Sequence, residues 1–288
     1  MLRAGLRAGL RAGLRAGLRA GANVLIVAGA ALLLAVPQAA AQGRSDPFGF
    51  AGTPWQVGGF VFVTPKFEGA KSYDVLGFPF IAPAGFGQGG SAIDIRGADD
   101  VRFRLIQNNG FEAGPLAGWR FGRDQDDAAR LQGLGDIDGG LVVGAYAGYR
   151  AGPWFFSASY HQQVTGDDTG GLVRLAIDHT WRLSPTAKLV TSLGTAYASS
   201  DYMQTYFGVT AAQSAASLAG LPQFDPSAGF KDVSLGATAT IELDPRWTLY
   251  LTGRYSRLIG DAADSPVIET ENAFFGGAGL SYKFDLIR

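Results

Sequence analysis

Residues 232–243 read DVSLGATATIEL. Val233, Leu235, Ala237, Ala239, Ile241 and Leu243 fall on one face of an extended chain, and Asp232, Ser234, Gly236, Thr238, Thr240 and Glu242 on the other. Side chains alternate across a strand, so this stretch predicts one long strand with an apolar face and a polar face. Strands of soluble proteins average about 5–6 residues, whereas about 9–11 tilted residues cross a bilayer. The length therefore points to the wall of a membrane barrel, with lipid outside and water inside, rather than to a soluble sandwich or lipocalin-like barrel.

The same period recurs outward from this stretch. Val173, Leu175, Ile177, Trp181 and Leu183 alternate with Arg174, Asp178, Thr180 and Arg182. Trp154, Phe156, Ala158 and Tyr160 alternate with Ser157, Ser159, His161 and Gln163. Trp247, Leu249, Leu251 and Tyr255 alternate with Thr248, Thr252, Arg254 and Ser256, and Phe274, Ala278, Leu280, Tyr282 and Phe284 with Gly277, Gly279, Ser281 and Lys283. Residues 138–150 and 186–199 follow more weakly. Aromatics gather near the strand ends, where amphipathic rings meet lipid headgroups. Tight links at Arg150-Ala151-Gly152-Pro153, Leu183-Ser184-Pro185-Thr186 and Leu243-Asp244-Pro245-Arg246 alternate with long links at 124–137, 200–228 and 258–271. Short periplasmic turns and long extracellular loops have this rhythm. The prediction is an all-β, single antiparallel transmembrane barrel of about twelve strands, ten being the other even count that fits. The strands fall near 55–67, 74–84, 90–96, 100–107, 111–123, 138–150, 153–165, 170–183, 186–199, 229–243, 246–258 and 272–284. The first four are the least regular, because Pro65, Pro79 and Pro83 interrupt them.

The first residues read differently. Leu-Arg-Ala-Gly repeats five times over residues 2–21, an apolar run spans Val24–Val36, and Ala39-Ala40-Ala41 follows. Basic, apolar and small-residue regions in that order predict a signal peptide over 1–41, cleaved before Gln42, with the barrel over 42–288. Residues 1–41 hold five arginines and no acid, so the remainder carries 19 basic and 25 acidic residues, a net charge of −6. That balance gives no electrostatic case for nucleic acid. The chain has no cysteine, which excludes disulfides, thiolate metal ligands and thiol nucleophiles.

Chemistry is sparse. His161 and His179 are the two histidines, on opposite faces by parity, with no metal-ligand spacing. Ser159 and His161 share a face, yet no orienting acid is identifiable for a nucleophilic site. Asp124, Asp126, Asp127, Asp136 and Asp138 cluster without the central glycine of a calcium loop, and read as a solvated loop. No cofactor is implied. The inward candidates are Arg174, Asp178, Arg182, Lys188, Glu242, Arg254 and His161. They predict a cross-lumen ion network that plugs a narrow barrel, or else a selectivity surface for a small solute.

Longer stretches carry a resemblance. Residues 131–137 read LQGLGDI, 201–209 read DYMQTYFGV, and 229–233 read GFKDV; Arg246-Trp247 and the run RLIGDAADSP over 257–266 follow. Together they resemble the MipA/OmpV family of outer-membrane proteins, from about Gly59 to Phe284. The resemblance implies a barrel in the bacterial outer membrane. It further implies either a scaffold that holds a murein lytic transglycosylase and a bifunctional penicillin-binding protein, a porin-like channel, or a surface adhesion or stress-response protein acting through loops 124–137 and 200–228. The chain departs from the family pattern in two places. Asp285 to Arg288 follow the terminal Tyr282-Lys283-Phe284 motif, and Val143 stands before Gly144 where an acidic residue is common.

Overall fold

The computed structural model describes residues 54–84, 92–167 and 169–285. The expected signal segment lies outside them. Strands β1 (Trp55–Pro65), β2 (Tyr73–Pro83), β3 (Ile93–Gly97), β4 (Asp100–Phe103), β5 (Ile106–Asn108), β6 (Phe111–Arg120), β7 (Gly140–Ala151), β8 (Trp154–Gln163), β9 (Gly171–Ser184), β10 (Ala187–Ala198), β11 (Gly229–Glu242), β12 (Trp247–Leu258) and β13 (Asn272–Phe284) form one antiparallel sheet. Its order is β2-β1-β13-β12-β11-β10-β9-β8-β7-β6-β4-β3, with β5 on the lower part of β6. Counting β4 and β5 as one interrupted strand, the sheet has the expected twelve. First and last strands pair from Trp55 opposite Phe284 to Val63 opposite Gly276.

Parity separates the two faces of the barrel as the sequence requires. Val233 and Leu235 are exposed, 42% and 60%, beside exposed Leu193 and Leu175 on neighbouring strands. Their chain neighbours Asp232 and Ser234 are half-buried on the lumen side. An outer belt of Trp154, Trp181 and Trp247 marks the short-turn end, and Tyr160, Tyr197, Phe230, Tyr255 and Phe274 mark the long-loop end. His179 points outward, packed between Trp154 and Trp181 at ring distances of 4.4 and 4.2 Å. Trp247 and Tyr255 are eight residues apart on one strand, about 26 Å at roughly 3.3 Å per residue. Tilted by about 40°, that spans about 20 Å, close to the apolar band of an outer-membrane barrel.

The prolines in β2 do not break it. β2 is an edge strand of the sheet, where a residue without an N–H loses no ladder bond on the free side.

β3 and β4 leave the wall. β4 pairs with β6 through Val101–Ala117 and Arg102–Leu116 alone. Asp99, in the turn between them, lies 2.7 Å from Arg174 of β9. Four strand spacings separate β4 from β9 along the sheet, about 19 Å at roughly 4.8 Å each. Contact is possible only across the lumen, so the β3–β4 hairpin folds inward. Bare backbone on β6 makes the bed for it. A Cβ at Gly114 would stand 1.8 Å from the carbonyl oxygen of Phe103, and one at Gly118 would stand 2.3 Å from that of Ala98.

The long loops close over one end. Helix α1 (Ser200–Phe207), capped by Ser199, presents Tyr202, Met203, Tyr206 and Phe207 to a cluster with Ile137, Leu172, Leu258 and Ile268. A second cluster joins Phe67, Leu131, Leu134, Val209, Leu221 and Val267, drawing on four separate loops. Helices α2 (Ala211–Ala216) and α3 (Asp261–Asp264) complete the lid. The acidic loop proves to be structural. Asp124 caps a turn over Gln125–Asp127, Asp127 accepts from the Asp124 N–H, and Asp136 accepts from the Gln125 N–H.

Candidate functional site: the lumen

An arginine facing into a barrel must find an anion or remain in water. On the β6–β9 side, the wall and the hairpin exchange charges. Asp99 takes two parallel hydrogen bonds from Arg174, at 2.9 and 2.7 Å, with Arg120 3.5 Å away. Asp178 accepts from Arg96 at 2.7 Å, and Asp94 pairs with the same guanidinium at 3.0 Å. Asp100 receives both Nε and Nη2 of Arg102, while Glu112 lies 3.0 Å from Arg104. Rings cover several of these cations: Arg96 over Phe155 at 5.2 Å and Arg102 over Tyr146 at 5.0 Å. Bidentate, charge-assisted pairs fix orientation as well as charge, so Asp99–Arg174, with Arg96–Asp178 beside it, pins the hairpin to β9, and Arg102 donates to Ser159 of β8.

His161 is fully buried within this network. Its Nδ1 lies 3.1 Å from the carbonyl oxygen of Asp99, and its Nε2 lies 2.9 Å from Ser159 Oγ. A carbonyl only accepts, so Nδ1 carries the proton and Nε2 accepts from the serine hydroxyl. Ser159 Oγ in turn accepts from Arg102 at 3.2 Å. The serine and histidine are therefore spent on holding the hairpin turn. The nearest side-chain carboxylate, Asp100, lies 3.8 Å from Nε2, the same nitrogen that faces the serine. A base oriented through Nδ1 by an acid is not formed here.

Of the residues singled out in the sequence, Arg174, Asp178 and His161 are brought together. Arg182, Lys188 and Glu242 stand apart near the short-turn rim, where β9, β10 and β11 end. Arg254 lies in the middle of β12, exposed to the lumen, with no hydrogen bond or ion pair among the described residues. The sequence reading missed Asp94, Arg96, Asp99, Asp100, Arg102, Arg104, Glu112 and Arg120. Their signal was available: Asp94 and Arg96, then Arg102 and Arg104, alternate with Ile93, Ile95, Val101 and Phe103.

The opposite wall is apolar. Phe60, Phe62, Phe78, Phe80 and Phe275 point inward with Tyr250, in ring contacts of 5.3–5.5 Å. Glycines again make the room. A Cβ at Gly279 would meet the Phe60 ring at 2.2 Å, and one at Gly277 the Phe62 ring at 2.3 Å.

At the long-loop end, buried Lys231 donates to Glu68 at 2.8 Å and to Asp232 at 2.7 Å, and the Tyr202 hydroxyl donates to the same Glu68. Arg123 donates to the Tyr206 carbonyl at 2.8 Å; burial lowers its guanidinium to about 10.

Comparison with known proteins gives a family. A family model described as MltA-interacting protein MipA matches residues 57–284. The outer membrane protein OmpV of Vibrio cholerae is 29% identical over 173 residues, covering 59% of this chain and 64% of that protein. Omp26La of Vibrio anguillarum is 28% identical over 165 residues, covering 56% and 61%. The chain thus spans less than two thirds of the length of either relative. A solved outer membrane channel from Pseudomonas putida aligns with a TM-score of 0.42 at 10% identity, over 84% of this chain and 99% of that one. The wall of long two-faced strands and a match running from β1 to the end of β13 place the protein in the outer membrane, and the chain belongs to the MipA/OmpV family.

Proposed function

We propose that this barrel is a non-enzymatic scaffold of the outer membrane that holds murein-processing enzymes, namely a lytic transglycosylase and a bifunctional penicillin-binding protein, at its periplasmic rim. The observation that carries the reading is the lumen itself. A hairpin tied to the wall by the Arg96–Asp178, Arg104–Glu112, Arg120–Asp99 and Arg174–Asp99 pairs fills one half, and a packed lid lies over the long-loop end. A barrel with half of its interior given over to fixed ion pairs is built for rigidity more than for flow. The family's own description, an MltA-interacting protein, supports the same reading. The test is retention of both enzymes by the detergent-solubilised barrel from a strain that makes them. A barrel that retains neither under mild salt is not that scaffold.

A solute channel is the second reading. Lys188, Arg182 and Arg254 favour it, as inward cations free of ion pairs among the described residues. Planar-bilayer recordings separate the two. The scaffold reading expects a silent or rarely opening barrel, and a steady, ion-selective conductance from the wild type supports the channel.

A further inference from the structure

Away from the short-turn rim, Arg254 differs from the other lumen arginines among the described residues. Arg96, Arg102, Arg104, Arg120 and Arg174 each face a carboxylate within 3.5 Å. Arg254 faces none at that distance, and the carboxylates around it are engaged elsewhere: Asp99 with Arg174, Asp100 with Arg102, Asp232 with Lys231. On one side Arg254 is the cross-strand partner of Phe275, and on the other of Gly236, which leaves the space beside its side chain open. Phe275 stacks on Phe62 at 5.3 Å, and the ring wall continues through Phe60 to Tyr250. Tyr250 lies four residues from Arg254 on the same face, about 13 Å along the strand at roughly 3.3 Å per residue. The rings remain partly exposed to the lumen instead of being sealed in a core.

An apolar wall ending in a single convergent polar group is the arrangement of a small-molecule site. We propose that this half of the lumen binds an aromatic carboxylate, its ring on the Phe62–Phe275 surface and its carboxylate on the Arg254 guanidinium. The charge follows from a cation without a counter-ion. The ring follows from the wall, since flat π-faces at these spacings accept another ring in offset or edge contact. The inference rests on the lumen wall and is independent of any enzyme held at the rim.

The test is binding of 2-naphthoate to the full barrel in lipid nanodiscs by calorimetry, with empty nanodiscs subtracted. The proposal expects saturable binding. It expects at least a ten-fold loss in Arg254→Met and a comparable loss in Phe62→Leu/Phe275→Leu. Arg254→Lys should fall between Met and wild type, because an ammonium keeps the charge but not the fork. Heat-modifiable gel mobility checks that each variant is folded. Neutral 2-naphthalenemethanol should bind weakly and indifferently to Arg254→Met. Equal affinity of folded wild type and Arg254→Met for 2-naphthoate would overturn the proposal. So would decanoate binding as tightly as 2-naphthoate, since charge and greasiness alone would then suffice.

Discussion

Strands β6 to β9 face the lumen largely with charge and polar groups, whereas β13, β1 and β2 face it with rings. Both halves obey the same parity, with lipid-facing Val61 and Val63 on β1 and Leu175 and Ile177 on β9. They differ in what completes them. Inward charges need counter-charges, and the chain folds a whole hairpin inward to exchange them: Asp99 meets Arg174 and Arg120 of the wall, and Arg96 meets Asp178. Inward rings complete one another and leave their faces toward the lumen. Parity thus tells inside from outside, but it does not tell whether the inside is filled.

The largest effect should come from removing the anion at the centre of the ionic half. Asp99→Ala strands Arg174 and removes the nearest carboxylate from Arg120. Breaking one partner of a buried pair costs about 3–5 kcal/mol. Urea unfolding of the refolded barrel should show the midpoint falling accordingly, and bilayer recordings should show openings absent from the wild type. An unchanged midpoint would mean that the hairpin is not held from β9.

Next comes the wall, tested at adjacent residues. Leu235→Arg puts a cation on the lipid face near mid-strand, at a cost of about 2–4 kcal/mol. Ser234→Arg puts the same cation on the lumen side and should cost far less. The two variants need only be compared in one unfolding experiment. Equal costs would mean that the two faces of β11 have the same surroundings.

This contrast also explains what could be read from the sequence. β9, β11 and β12 were legible because their two faces differ chemically, so period 2 shows. In β1, residues 60–63 read FVFV: both faces are apolar, and alternation carries no signal. The inward Phe60 and Phe62 were invisible for that reason. The hairpin had the opposite fault. Its alternating charges were plain, but nothing local says that a strand will leave the wall, and Asp99 meets Arg174 across 75 residues of sequence. His161 was placed on the inner face by parity, while its partner, the Asp99 carbonyl, belongs to that same unforeseen insertion. Gly114 and Gly118, which admit the hairpin, look in sequence like any other glycine of a wall strand.

On the aromatic half a single ring should matter less than a single charge on the ionic half. Phe80→Leu keeps apolarity and most of the volume but removes the stacked contact with Phe60 at 5.3 Å. Aromatic pairs contribute about 0.5–1.5 kcal/mol beyond burial, so a midpoint shift of that order is expected. A loss as large as that of Asp99→Ala would mean that the rings, like the ions, are a sealed core.

The smallest effect is expected at the outer rim, where a charge pair resembles those of the lumen in distance alone. Arg257 Nη2 lies 2.7 Å from Glu271, the same separation as Arg174 from Asp99, yet the two side chains are 55% and 40% exposed. Water and salt screen such a pair, and both side chains lose freedom to form it. Arg257→Ala should therefore cost less than about 1 kcal/mol. The cost should shrink further at 1 M salt, where the screening length falls to about 3 Å. The same salt should leave the Asp99→Ala deficit in place, because that site lies in the barrel interior. If instead high salt erased both deficits equally, the ionic half would be as wet as the rim, and its ion pairs would not be what anchors the hairpin.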